Sequence, residues 1–468
     1  MRIETIKKHI LLIAISVAVL GAMAVGVMLL LGYGGACDCF PPNQVDNSGE
    51  NSKISRSDDV KKIKELWEQV RTGPVPKTDP APLIYPKVKG IFFKGLPYKG
   101  KETRVFAWYG LPNSGTPPNG KKWPVVVLVH GGGGTAYPKW VTLWNERGYA
   151  AIAIDTNGHV PNKDGENSRP MNPHPDGGPS KWGGFQQMAD DIRDNWNFHA
   201  VADILLARKL MGALPEVDAD RAGVIGISWG ACLSLIAASV DPGFKCVVPV
   251  YGCGFLKENS AVSDRIKHMG KSGEKWTSTW DASVYLNDLR VPVLWVSGVS
   301  DSYFSLPIFQ KSYRATPLRG TLNLRPRLRH DELHSRKLRE IDAFVAHALK
   351  GEPPLLSIVE QGRDKCTAWV TVASSDSTLS AVSAALYYTK SSGPWKGREW
   401  QSTGATVEAK IERNIEESKK TQTIRARIPV GTTAYFIGVK DNRNRFVSSE
   451  YREIRTVSLL DRFLGKNR

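Results

Sequence analysis

Five short apolar runs, at residues 125–129, 149–154, 222–227, 246–250 and 291–296, constrain this chain more than any other feature. Each has the length of a strand, and none alternates apolar with polar positions. Strands of that kind are buried on both faces and belong to parallel sheets. Segments of helical character lie between them, as at 194–210 and 231–239. The alternation of strand, loop and helix predicts an α/β domain over 90–350, with a mostly parallel sheet and helices on both faces. Open sheets of this class bind ligands at the carboxyl ends of their strands. The residues directly after each run are therefore the ones to read for chemistry.

The third run is of particular interest because it leads into Gly226-Ile227-Ser228-Trp229-Gly230, a G-x-S-x-G match with the helix 231–239 after it. Strand, sharp turn and helix are the context in which this motif presents a nucleophilic serine. A merely structural turn is the alternative. After the strand 125–129 comes His130-Gly131-Gly132-Gly133-Gly134. Such a loop can aim a backbone N–H at a developing oxyanion, and Gly132 is the donor expected here. Trp229, directly after the serine, would supply the second N–H. A phosphate-cradling loop is disfavoured, since the Lys-Ser/Thr of a P-loop and the G-x-G-x-x-G spacing are absent. In this fold the acid and base follow the serine in that order. Asp301 sits in the loop after the strand 291–296, whereas Asp288 precedes that strand and falls at its wrong end. Of the three later histidines, His347 lies within a helix spanning 338–349. His330 follows a strand at 321–328 and is favoured as the base, with His334, four residues on, as the alternative. Asp301 would hold the His330 tautomer, and His330 would take the Ser228 proton.

With these residues in hand, the chain resembles bacterial extracytoplasmic α/β-hydrolases of the acetyl xylan esterase, dienelactone hydrolase and prolyl oligopeptidase superfamily. The matching segments are His199-Ala200-Val201-Ala202-Asp203, Glu216-Val217-Asp218-Ala219-Asp220-Arg221, the serine motif and Pro249-Val250-Tyr251-Gly252-Cys253-Gly254-Phe255. Trp295-Val296-Ser297-Gly298-Val299-Ser300-Asp301 and Glu340-Ile341-Asp342-Ala343-Phe344 match as well. The resemblance implies an α/β-hydrolase fold and a serine hydrolase of esters, such as acylated carbohydrates, working without a cofactor or metal. It departs at the base, where a compact His-Gly-His-like loop is replaced by His330-Asp331-Glu332-Leu333-His334. A peptidase of the prolyl oligopeptidase type uses the same three groups, but the propeller that gates it does not fit between residues 38 and 89. A catalytically inactive fold used for carbohydrate or surface binding is the third reading, and the intact Ser, Asp and His set argues against it.

Tyr137, Tyr251 and Phe304, with Trp140, Asp155, His159 and Trp182, lie in loops or after strands and are candidates to line a substrate pocket. Packing is the competing role for each. The Gly- and Pro-rich segment 157–184 has the length and composition of a binding loop or lid.

The flanks read differently. Lys7 and Lys8 precede an apolar stretch at 10–31, long enough to cross a bilayer with the N-terminus inside. A retained anchor, a cleaved signal and a lipoprotein signal ending at Cys37 are the three readings of residues 1–36, and all place the body beyond the cytoplasm. Residues 37–89 read as a linker with a short amphipathic helix, built on Val60, Ile63, Leu66, Trp67 and Val70, with Ser57-Asp58-Asp59 as its cap. Pro74, Pro76, Pro80, Pro82 and Pro86 then suggest an extended connector. Beyond Gly351 the runs shorten and alternate, which predicts an antiparallel β-sandwich-like domain over 351–468. Its Tyr387, Tyr388, Trp395 and Trp400 suit cross-strand packing or carbohydrate contact.

Six cysteines do not make a disulfide framework, and buried free thiols are expected for Cys232, Cys246, Cys253 and Cys366. The absence of a CxxC pair argues against zinc. The net charge of +17 is spread over both regions. Its densest part is Lys311, Arg314, Arg319, Arg325, Arg327, Arg329, Arg336, Lys337 and Arg339, around His330. No nucleic-acid-binding motif accompanies it, so the expected partners are an ester substrate and, through the N-terminal segment, a membrane.

Overall fold

The computed structural model describes residues 56–112, 121–161, 172–318, 320–408, 412–414 and 419–454. The apolar stretch at 10–31, Cys37 and Cys39 lie outside the described residues. Among the described residues, no helix is long and apolar enough to cross a membrane.

A nine-stranded sheet dominates. Its strands are β1 (Thr78–Tyr85), β2 (Val88–Lys94), β3 (Arg104–Gly110), β4 (Trp123–Val129), β5 (Ala150–Ile154), β6 (Val217–Ile227), β7 (Phe244–Val250), β8 (Leu294–Gly298) and β9 (Thr321–Arg325). They lie in the order β1-β2-β3-β5-β4-β6-β7-β8-β9. The run from β5 to β9 is parallel throughout, while β1, β2 and β3 join antiparallel at one edge. The five apolar runs are thus β4 to β8, with small shifts. The run expected at 291–296 begins pairing fully only at Leu294, because Pro292 cannot donate to a ladder. The predicted strand 321–328 stops at Arg325, before Pro326.

Main-chain alternation divides the core between the two faces of the sheet. Val125, Val127, Val129, Ile152, Ile154 and Val224 point to the face covered by α1 (Asp59–Thr72), α3 (Trp196–Gly212) and α4 (Trp229–Val240). Ile225, Ile227 and Val250 point to the other, where Trp140 and Trp144 of α2 (Pro138–Glu146) meet Ile341 of the helix Arg339–Lys350.

Two expectations about the region before the domain need correction. The proline-rich connector is not a connector over 78–85: it is the edge strand β1, where Pro80 and Pro82 need not donate hydrogen bonds to a further neighbour. The helix at 59–72 forms as expected, but Asp58 makes no capping bond. The Ser57 hydroxyl is committed to Thr279 instead, at 2.8 Å.

The C-terminal region is antiparallel, as predicted. Its strands are β10 (Ser357–Asp364), β11 (Thr367–Ser374), β12 (Ala381–Thr389), β13 (Gln401–Val407), β14 (Lys419–Arg427), β15 (Ala434–Asp441) and β16 (Phe446–Ser448), in the order β10-β11-β14-β13-β12-β15-β16. β13 turns the corner: residues 401–405 pair with β12 and residues 406–407 with β14. The described residues up to 363 and from 367 onward form one compact unit. β16 lies along the exposed edge of β9, where the Asn323 amide donates to the Phe446 carbonyl at 2.8 Å and the Leu324 N–H to the Ser448 hydroxyl at 2.9 Å. Covering an edge strand in this way removes a site for unwanted strand pairing. Glu340 ties the same seam, accepting from the Phe446 N–H at 2.7 Å and pairing with Arg325 at 2.7 Å, with its own side chain only 5% exposed. Glu340→Ala leaves both donors unsatisfied and is expected to cost about 1–3 kcal/mol in urea denaturation; an unchanged midpoint would show that the seam adds nothing.

Candidate active site

Because β4 to β9 run parallel, their carboxyl ends fall along one rim of the sheet. The His130 loop leaves β4, Ser228 leaves β6, Tyr251 leaves β7, Asp301 follows β8 and His330 follows β9. Residues scattered over two hundred positions therefore meet on that rim.

Ser228 sits at φ 57°, ψ −121°, a conformation that side-chain-bearing residues rarely adopt. Its N–H is fixed to the Val250 carbonyl at 2.9 Å, and its carbonyl accepts from the Ala231 N–H at 2.9 Å. The flanking glycines are steric requirements. A Cβ at Gly226 would fall 2.1 Å from the Gly230 carbonyl oxygen, and one at Gly230 would fall 2.3 Å from that of Val129. Either would drive the helix away from the strand.

The Ser228 hydroxyl lies 2.8 Å from His330 Nε2, and His330 Nδ1 lies 2.7 Å from Asp301 Oδ2. An ionised carboxylate can only accept, so Nδ1 carries the proton and Nε2 is left to accept from the serine. Asp301 is itself immobilised: Oδ1 accepts from the N–H groups of Tyr303 and Phe304, each at 2.8 Å, and its side chain is fully buried. The imidazole stands between two phenol rings, Tyr251 at 4.2 Å and Tyr303 at 4.5 Å between centroids. Phe304 stacks behind at 6.1 Å. His334 lies elsewhere, with its side chain 80% exposed and Nδ1 3.0 Å from Asp331.

The loop after β4 is shaped by His130. Its Nδ1–H donates to the Gly131 carbonyl at 2.6 Å, and Nε2 accepts from the Thr156 N–H at 3.0 Å, so the ring bridges the ends of β4 and β5. Burial pushes its pKa down and keeps it neutral. Gly131 packs directly against Ser228, where a Cβ would come within 3.1 Å of the serine's own. The Asn157 amide donates to the carbonyls of Gly132 and Gly134 at 3.1 and 3.3 Å. The Trp229 N–H opens α4 and has no intrahelical acceptor.

The pocket candidates divide. Tyr251 and Phe304 contact the His330 ring. Trp182 covers Gly132, where a Cβ would meet its ring at 3.0 Å, and lies edge-on to Trp229 at 5.0 Å. Its loop is anchored at the Gly183 carbonyl by the Asn197 amide at 2.8 Å and the Trp276 indole at 2.7 Å. Part of the expected lid, 162–171, lies outside the described residues. Tyr251 and Phe304 are themselves buried, as are Tyr137 and Trp140, which lie beneath the Arg336 guanidinium. Asp155 is spent on a turn, accepting from the N–H groups of Asn157 and His159. Tyr303 was not singled out from the sequence, although its position two residues beyond an acid at a strand end was the available signal. Nearby, burial beside Asp155 raises the Asp203 carboxyl well above its ordinary range, and burial pulls His199 down to about 4. Cys232, Cys246 and Cys253 are buried free thiols. Among the described residues, no cluster of His, Cys, Asp and Glu is suited to a metal ion.

Residues 78–271 match the family model described as acetyl xylan esterase. No curated protein matches the chain. Among solved structures, an acetyl xylan esterase from a Paenibacillus species aligns over 64% of this chain and 96% of its own at 20% identity, with a TM-score of 0.51. An acetyl xylan esterase from a Thermoanaerobacterium species aligns at 17% identity over 60% and 90%, with a TM-score of 0.45. An acylaminoacyl peptidase from Pyrococcus horikoshii aligns at 17% identity over 60% and 44%, with a TM-score of 0.44. The sheet order, the serine turn and the alignment with the Paenibacillus structure show an α/β-hydrolase fold, and residues 78–271 are similar to the acetyl xylan esterase family.

Proposed function

We propose that the protein is a serine hydrolase of carboxylic esters, acting as a deacylase of acylated carbohydrates beyond the cytoplasm. The observation that carries this reading is the unbroken hydrogen-bond chain from Ser228 through His330 to a buried Asp301. The family match over 78–271, which includes the serine turn, supports the ester class.

In this mechanism His330 Nε2 takes the Ser228 proton as Oγ attacks the ester carbonyl. The resulting oxyanion accepts from the N–H groups of Trp229 and Gly132. The tetrahedral adduct collapses, and His330 returns the proton to the departing alcohol, leaving an acyl-serine. Water, deprotonated by the same His330, releases the acid and restores the hydroxyl. Asp301 stabilises the imidazolium at each stage. Trp182 and Tyr303, both exposed, give the mouth an aromatic lining suited to sugar rings or short acyl groups. The segment 10–31 is the proposed membrane-directing element.

The full chain is expected to hydrolyse p-nitrophenyl acetate and to be labelled by a fluorophosphonate, with mass spectrometry assigning the adduct to Ser228. Ester turnover with the label on another residue would refute the assignment. An absence of both would refute the hydrolase.

A further inference from the structure

The loop that carries His330 has a second face. Residues 325–328, His334 and Leu338 form one wall of a cleft of about 650 Å³, whose opposite wall is the C-terminal sandwich. Arg325, Arg327 and His334 line the first wall, and Tyr387, Trp400 and Lys440 line the second. No carboxylate lines it. Arg325 is held by buried Glu340, with its guanidinium 5.2 Å over the Phe446 ring. Arg327 and Lys440 are exposed and have no ion-pair partner among the described residues. Both arginines lie close enough to Tyr387 to favour its ionised form, against the burial that raises its pKa. The Trp400 indole is braced on Phe436 at 5.5 Å, and its buried Nε1–H has no acceptor.

We infer that this cleft is a binding subsite for a carboxylated oligosaccharide, a chain bearing uronate residues. The volume falls within the range of about 300–1,000 Å³ usual for small-ligand sites. Guanidinium groups bind carboxylates through paired, charge-assisted hydrogen bonds. Aromatic faces pack on the apolar faces of sugar rings, and the orphaned indole N–H needs an acceptor such as a hydroxyl or carboxylate oxygen. Cations with aromatics also suit single-stranded nucleic acid, and a thymidine oligonucleotide is the comparison that separates the two. The cleft shares its loop with His330. Only the choice of a sugar among anions rests on the proposed carbohydrate esterase. Binding is read without turnover, so the two fail separately.

Calorimetric titration of the full chain should show a short oligogalacturonate binding about tenfold or more tighter than the neutral galactan oligomer of equal length. The difference should shrink as salt rises. The double variant Arg327→Ala/Lys440→Ala should lose about tenfold or more for the uronate and little for the neutral chain. Trp400→Phe, which keeps a ring and removes the N–H, should weaken the uronate chain as well. Circular dichroism should match the parent in each case. Equal binding of charged and neutral oligomers, unaltered affinity in the variants, or tighter binding of a thymidine oligonucleotide would each overturn the assignment.

Discussion

Ser228→Ala is expected to lower kcat for p-nitrophenyl acetate by roughly 10⁵–10⁶-fold, with the folded state intact. The size follows from what is removed. Without Oγ there is no acyl-enzyme, and the remaining N–H donors at Trp229 and Gly132 can only assist attack by water. His330→Ala should cost a similar factor, because an unassisted serine hydroxyl is a poor nucleophile at neutral pH. The double variant should be hardly worse than either single one, since groups that act as a unit are not additive. His334→Ala is the control. That side chain is exposed and bonded to Asp331, so its loss should leave the rate within about twofold. Native turnover by Ser228→Ala, or a collapse in His334→Ala with His330→Ala unaffected, would refute the arrangement.

The meeting of these three side chains was legible because a parallel sheet converts sequence into position. A residue just past an apolar run lies at the rim, whichever run it follows. That rule identified Ser228 and Asp301, and it favoured His330 over His334. It says nothing about what surrounds the rim. Trp182 arrives from a loop anchored by Asn197 and Trp276, and no periodicity reports such bonds. Tyr137 and Trp140 fit the same positional rule as Tyr251, yet a cation from another segment covers them.

Elsewhere the pattern misled for local reasons. Prolines in 78–85 hid an edge strand, because an edge tolerates missing donors and an isolated chain gives no sign of being an edge. β10 and β13 went unread because half of each faces solvent, and their polar residues match those of turns. The C-terminal texture announced a sandwich, but the strand that lies along the sheet's edge, β16, is only three residues long. No short-range signal marks a strand of that size.

Trp67→Ala is expected to lower stability by about 3–5 kcal/mol, read as a fall in the urea midpoint of the full chain. From the sequence, α1 is a small amphipathic helix in a linker, and truncating one residue of it should matter little. In the fold it is part of the main core. Trp67 is fully buried and stacks on Phe198 of α3 with centroids 5.9 Å apart, and it touches Trp280 and Tyr285 at 6.4 and 5.8 Å. Its indole N–H donates to the Phe198 carbonyl at 3.0 Å. The last carbonyls of the helix are held from the far end of α3, where Lys209 Nζ reaches those of Val70 and Gly73. Removing the indole opens a cavity between three aromatic residues that the fixed backbones of α1 and α3 cannot close. Trp67→Phe separates the contributions. It keeps most of the ring and loses the hydrogen bond, so it should cost about 1–2 kcal/mol, less than the alanine. If Trp67→Ala unfolds at the parental urea concentration, α1 melts independently of the sheet, and the helix is a linker after all.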